Sequence, residues 1–149
     1  MPVTPTDHTT PTRGNLGFVL AKASQRWNEL LAEEFRAAGY PEVRPAYGSI
    51  LLPLWEEDDL RMGELGRRAR LAKQTMTTMV RLMERDGLVS RVPDPDDRRA
   101  QRVRLTERGE ELRGVARTVL AGLDRRVGKV LSRREIATFE SCLKEVMSL

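Results

Sequence analysis

The strongest constraint lies between Met62 and Leu105, where the hydrophobic period changes from helical to extended. Met62 to Arg70 and Lys73 to Asp86 each space their apolar residues for a short helix, with little more than Leu71 and Ala72 between them. Gly87 then supplies a helix stop. Leu88 to Val92 and Arg102 to Leu105 read as short strands, and Pro93 to Ala100 between them is turn-forming and strongly charged. Helix, tight turn, helix, strand, charged loop, strand is the order of a winged helix-turn-helix. In that arrangement Leu65, Ala69 and Leu71 pack inward, and Met76, Met79, Val80 and Met83 form the buried stripe of the second helix.

The opposite face of that second helix carries Lys73, Gln74, Thr75, Thr77, Thr78 and Arg81. Donors, acceptors, cations and threonine methyls are what base edges and phosphates require. Alone, such a face fits a solvated helix surface equally well; the neighbouring loop changes the balance. Arg98 and Arg99 sit at its tip, where a wing can place cations in a minor groove. Asp97 is close enough in sequence to orient an arginine. Charge supports the same third of the chain. Residues 61–108 hold 13 Lys/Arg against 7 Asp/Glu, a net of +6; the remainder holds 13 against 15, a net of −2. Positive charge gathered in one contiguous segment marks a nucleic-acid-binding module.

Helices flank this unit. Leu16, Val19, Leu20, Ala23, Trp27, Leu30, Leu31 and Phe35 follow helical spacing between Asn15 and Ala38, interrupted by Glu34 and stopped at Gly39 and Pro41. An apolar helix is expected over Pro45 to Trp55, followed by an exposed acidic link, Glu56 to Asp59. Thr106 caps a long helix running to about Val130, and Ser132 with Glu135 forms a capping box opening a last helix with Ile136, Phe139, Leu143 and Val146. The apolar stripes of the terminal helices exceed what one thin subunit buries, which implies a homodimer.

The segment from Glu64-Leu-Gly through Lys-Gln-Thr-Met-Thr-Thr-Met-Val-Arg-Leu-Met-Glu-Arg-Asp-Gly-Leu-Val-Ser-Arg-Val-Pro-Asp-Pro-Asp-Asp-Arg-Arg-Ala to Leu-Thr-Glu-Arg-Gly109 resembles the MarR family of bacterial regulators. The signatures are Gly-Leu-Val-x-Arg, Asp-Pro-x-Asp-Arg-Arg-Ala and Leu-Thr-x-x-Gly, in that order. The resemblance implies an α+β, mostly α, winged helix-turn-helix in a dimer built from the first and last two helices. It implies Asp97 and Arg99 as the wing's Asp-x-Arg pair. It also implies an effector cleft, for which Trp27, Tyr47 and Trp55 are candidates for holding a small aromatic molecule, although aromatics in helices are more often core.

The expected organisation is a Thr/Pro-rich disordered tail (1–14), a dimerisation helix (15–44), a winged DNA-binding domain (45–108) and C-terminal dimerisation helices (109–149). The expected partners are double-stranded DNA and a second copy of the chain, with no membrane and a cytoplasmic location. The expected function is a ligand-responsive repressor binding pseudo-palindromic operators. Its alternatives are a regulator or architectural DNA binder without an effector and, further off, a protein-interaction adaptor. No enzyme, cofactor or metal is expected: His8 is the single histidine, and no Ser-His-Asp set, phosphate loop or Cys/His spacing is present. Cys142, the single cysteine, reads as a buried structural residue rather than a sensor.

Overall fold

The computed structural model describes residues 12–149, so most of the expected tail, His8 included, lies outside the described residues. Helix α1 (Leu16–Ala37) starts where the Asn15 side chain accepts the Gly17 N–H at 2.9 Å. It ends on Gly39, whose φ of +90° an L side chain rarely adopts. The segment expected as one helix from Pro45 begins instead as a 3-10 turn, Pro45–Tyr47, and continues as α2 (Gly48–Glu56). The tighter turn suits a start at proline, whose φ is preset and whose missing N–H costs nothing there.

A two-residue strand, β1 (Leu60–Arg61), leads into α3 (Met62–Ala69) and α4 (Lys73–Arg85). The hairpin follows as β2 (Val89–Pro93) and β3 (Gln101–Leu105). The sheet therefore has three antiparallel strands in the order β1-β3-β2, with Leu60 opposite Val103 and Arg91 opposite Val103 on the other edge. The acidic link before β1 is tied down rather than free. Asp58 Oδ1 accepts the Leu105 N–H at 2.9 Å, and Asp59 Oδ1 accepts from Arg102 and Arg104, each at 2.9 Å. Helix α5 (Glu107–Val127) stops three residues short of the expected end near Val130, and α6 (Arg133–Met147) opens on the expected Ser132–Glu135 capping box.

One core joins these elements. Tyr47, Ile50 and Leu54 of the second helical segment meet Leu65, Met76, Val80, Met83, Leu88, Val103, Leu112 and Leu123. Helices α3 and α4 cross closely at Gly66, where an added Cβ would meet Met76 Cγ at 3.1 Å. Helix α5 approaches the hairpin closer still. Thr106 Oγ1 donates to Gly87 O at 2.6 Å and accepts the Gly109 N–H at 3.1 Å, while Thr106 N–H donates to Leu88 O at 3.0 Å. Trp55 Nε1 donates to Gly109 O at 3.0 Å. The Gly-Leu and Leu-Thr-x-x-Gly motifs are thus two halves of one junction. Helix α6, by contrast, buries none of its residues, and Phe139 stays 50% exposed.

Candidate nucleic-acid interface

Helix α4 presents the polar face expected of it. Lys73, Gln74, Thr75, Thr78 and Arg81 are exposed and Thr77 is half-buried, while Met76, Val80 and Met83 are buried on the other side. Thr77 and Thr78 donate their hydroxyls to the carbonyls of Lys73 and Gln74, at 3.0 and 3.1 Å. That bond leaves each hydroxyl oxygen as an acceptor for an incoming partner. The helix starts at Ala72, which has no side chain to cap it. Glu84 near its other end accepts three hydrogen bonds from Arg91 of β2, at 3.1, 3.3 and 3.1 Å, which fastens α4 to the hairpin. The Arg91 guanidinium and N–H hold the Glu84 carboxyl below the usual range.

Between α3, α4 and the hairpin lies a groove of about 780 Å³. Lys73 and Thr77 line it from α4, Arg67 from α3, Arg91 from β2 and Arg99 from the loop tip. Helix and wing therefore border one basic groove. Among the described residues Lys73, Arg81, Arg98 and Arg99 make no ion pair, leaving them available to an external anion. The arginines of α3 differ. Arg67 and Arg68 both pair with Glu64, and Arg68 also reaches Glu57 at 2.6 Å.

The loop is organised around an aspartate that sequence reasoning passed over. Asp97 does not hold a guanidinium: its Oδ1 accepts the backbone N–H of Arg99 at 2.9 Å, and the Arg99 side chain is free of it. Asp94 instead is buried, its side chain 0% exposed. Its Oδ1 accepts the N–H groups of Asp96 and Asp97 at 2.9 and 3.1 Å. Its Oδ2 accepts from Arg61 Nε at 2.8 Å and from Arg102 Nη1 at 3.1 Å. The chain crosses the loop base through Asp94 N–H to Ala100 O at 3.0 Å. The Asp96 N–H, against the opposing effect of burial, and then the two guanidinia hold Asp94 down at about 2.

That shift has a sign. A carboxyl depressed on folding stabilises the fold above its ordinary value of 3.8 and loses the contribution as pH falls through about 2. Thermal unfolding of wild type and Asp94→Asn from pH 5 to pH 2 should therefore show a wild-type advantage that shrinks across this window. A difference that stays constant with pH would mean the carboxylate charge does not stabilise the loop.

A second cavity, of about 330 Å³, opens between α1, α2 and α5. Trp27 and Trp55 line it with Phe35, Leu52 and Leu120, and Arg44 supplies a cation at its edge. Tyr47 is not in its lining. It is 1% exposed and donates its hydroxyl to Asp86 Oδ2, the cap of α4, at 2.6 Å. Burial first, then the Asp86 carboxylate, push the Tyr47 hydroxyl up to about 12. Cys142, expected to be buried, is exposed on α6.

The described residues thus form a winged helix-turn-helix whose second helix and wing share one basic groove, the architecture of a DNA-binding transcription regulator. Residues 45–100 match the pattern of the MarR family. It is 29% identical over 142 residues to YsmB, an uncharacterized helix-turn-helix transcriptional regulator of Bacillus subtilis, covering 95% of this chain and 92% of that protein. It is 28% identical over 119 residues to ExpG, the exopolysaccharide II synthesis activator of Rhizobium meliloti, covering 80% of this chain. This chain spans only 61% of that longer activator. A protein of Pseudomonas aeruginosa described as a probable transcriptional regulator superposes with a TM-score of 0.78 at 26% identity, covering 89% of this chain and 97% of the other. The repressor CouR, solved on a 23-mer DNA duplex, gives the same TM-score at 23% identity over 93% of this chain and 99% of its own. No helix among the described residues is long and apolar enough to cross a membrane.

Proposed function

We propose that the protein is a cytoplasmic, homodimeric, ligand-responsive repressor that reads pseudo-palindromic operators. The observation carrying this reading is the shared groove, with Lys73 and Thr77 on one wall and Arg99 at the wing. On this reading Gln74, Thr75, Thr78 and Arg81 meet base edges and backbone in the major groove, and Arg98 and Arg99 enter the flanking minor groove, with Asp97 shaping their turn. CouR, a repressor of the same fold, was solved on duplex DNA. The reading assigns no catalytic role, cofactor or metal; the relatives are described as transcription regulators.

Dimerisation is assigned to 15–44 and 109–149. Its support is the exposed apolar surface of the terminal helices: α6 buries no residue and exposes Phe139, Val146 and Met147, and α1 exposes Leu16 and Val19. MarR-family proteins are dimeric. The effector reading rests on the cavity lined by Trp27 and Trp55, apolar with Arg44 at its edge, which suits a small aromatic molecule.

Selection of bound duplexes from a random pool tests the reading. An inverted repeat with two half-sites about one helical turn apart is expected. Gln74→Ala should relax preference at one or two positions of each half-site while leaving random-sequence affinity nearly unchanged. Binding without sequence preference would favour an architectural protein, and no binding would favour an interaction adaptor. Sedimentation finding a folded monomer would remove the two-fold operator from the proposal.

A further inference from the structure

We propose that Asp94 is a positioning residue for DNA binding: its buried carboxylate joins the wing turn to the start of the support helix and thereby aims Arg98 and Arg99. The inference rests on the wing reading given above.

Three features of the site carry it. First, Asp94 is the one buried charged residue among the described residues, although Pro95 to Arg99 beside it are all exposed. An aspartate taken out of water in an otherwise solvated loop must be paired for its charge, and here it is paired on both oxygens. Second, its partners lie on three different elements. The N–H groups of Asp96 and Asp97 belong to the turn, Arg102 belongs to β3, and Arg61 is both the last residue of β1 and the cap position of α3. Third, the network continues. Arg102 also donates to Asp59 Oδ1 at 2.9 Å, and Arg61 and Arg102 face each other in register across β1 and β3. The wing base is thus referenced to the helix-turn-helix through side chains as well as through its own strands.

A charged hairpin tip held only by its two strands samples many orientations, and each one lost on binding weakens the complex. Five N–H donors from four residues converge on this one carboxylate and restrict the direction of the tip relative to α3 and α4. Asp94 itself needs no contact with DNA to have this effect.

The sign of the expected result separates this role from plain electrostatics. Asp94→Asn removes one negative charge beside the basic groove, so charge alone predicts tighter binding. Positioning predicts weaker binding. Operator dissociation constants are measured across a salt series for wild type, Asp94→Asn, Arg98→Ala/Arg99→Ala and the triple variant, with thermal unfolding followed in parallel. Asp94→Asn is expected to weaken binding about tenfold while remaining folded at the assay temperature, and to cost less than about twofold once both tip arginines are gone. Should Asp94→Asn fail to fold, Arg61→Gln, whose side chain is 48% exposed, takes its place in the same cycle. Tighter or unchanged binding by Asp94→Asn, or an equal loss with and without the tip arginines for either variant, overturns the inference. An Arg98→Ala/Arg99→Ala protein that binds as wild type does overturns the wing reading itself, and the inference with it.

Discussion

Gly109→Ala is expected to cost the fold more than any other single methyl group added to this protein. A Cβ built at Gly109 lies 2.1 Å from the Leu88 carbonyl oxygen and 3.2 Å from Leu105 Cδ2. The obstacle is backbone, so no side-chain rotation relieves it. That carbonyl is itself engaged, accepting the Thr106 N–H at 3.0 Å, and Gly109 is held from the other side by Trp55. Moving α5 away would break the Thr106 bonds, the Trp55 bond and the packing of Leu112 at once. Overpacked cores usually lose about 1–3 kcal/mol, and a clash against fixed backbone belongs at or above the top of that range. Gly114 on the same helix is the control. It is exposed with nothing within 4 Å of an added Cβ, so Gly114→Ala should gain up to about 1 kcal/mol from helix propensity. Denaturant midpoints of the two variants moving in opposite directions would confirm the junction. Similar small shifts would show that α5 slides freely over the hairpin.

Loss of the two tip arginines is expected to be the largest effect on DNA binding that leaves the protein intact. Arg98 and Arg99 are exposed and make no ion pair among the described residues, so Arg98→Ala/Arg99→Ala should leave the unfolding temperature where it was. Removing one arginine from a DNA groove costs about 1–3 kcal/mol per subunit, and a dimer bears that cost twice. The slope of log K against log salt should flatten by about 0.9 for every phosphate that is no longer neutralised. Titration of operator and random duplex over a salt series reads both numbers. An unchanged slope with reduced affinity would mean that the tip acts through something other than counterion release. Asp97→Ala should give a smaller loss in the same direction, because it frees the Arg99 N–H and loosens the turn without touching either guanidinium.

Much of this architecture was legible in the residues, and the parts that were not share a cause. Helical stripes such as Met76, Val80 and Met83 repeat within a few residues, so local spacing announces them. The strand Leu60–Arg61 is too short to show any alternation, and its partner Val103 lies far along the chain. Asp58 and Asp59 read as solvated because acidic residues normally are; their partners, Arg102, Arg104 and Leu105, are remote in sequence. Within Asp94-Pro-Asp-Asp the three acids are compositionally alike. Only the hairpin register decides that Asp94 turns inward while Asp97 caps the tip. Tyr47 posed the same problem in reverse. Its spacing suits a cleft wall, yet its hydroxyl is drawn to Asp86, a cap residue on another helix. Gly109 stood in a visible motif, but the reason for a glycine there is the Leu88 oxygen, which no local pattern reveals.

The bare start of α4 has a thermodynamic consequence. Ala72 offers its first turn no side-chain acceptor, so the N–H groups of Lys73, Gln74 and Thr75 receive no cap from residue 72. On the proposed docking, phosphate oxygens meet these amides, and the duplex supplies the cap that the chain omits. A Ser or Asp at position 72 would steady the free protein by about 1 kcal/mol. It would also fill the place a phosphate takes, so local stability and operator affinity oppose each other at this residue. Protein stability and DNA recognition meet there as competing claims on the same three amides.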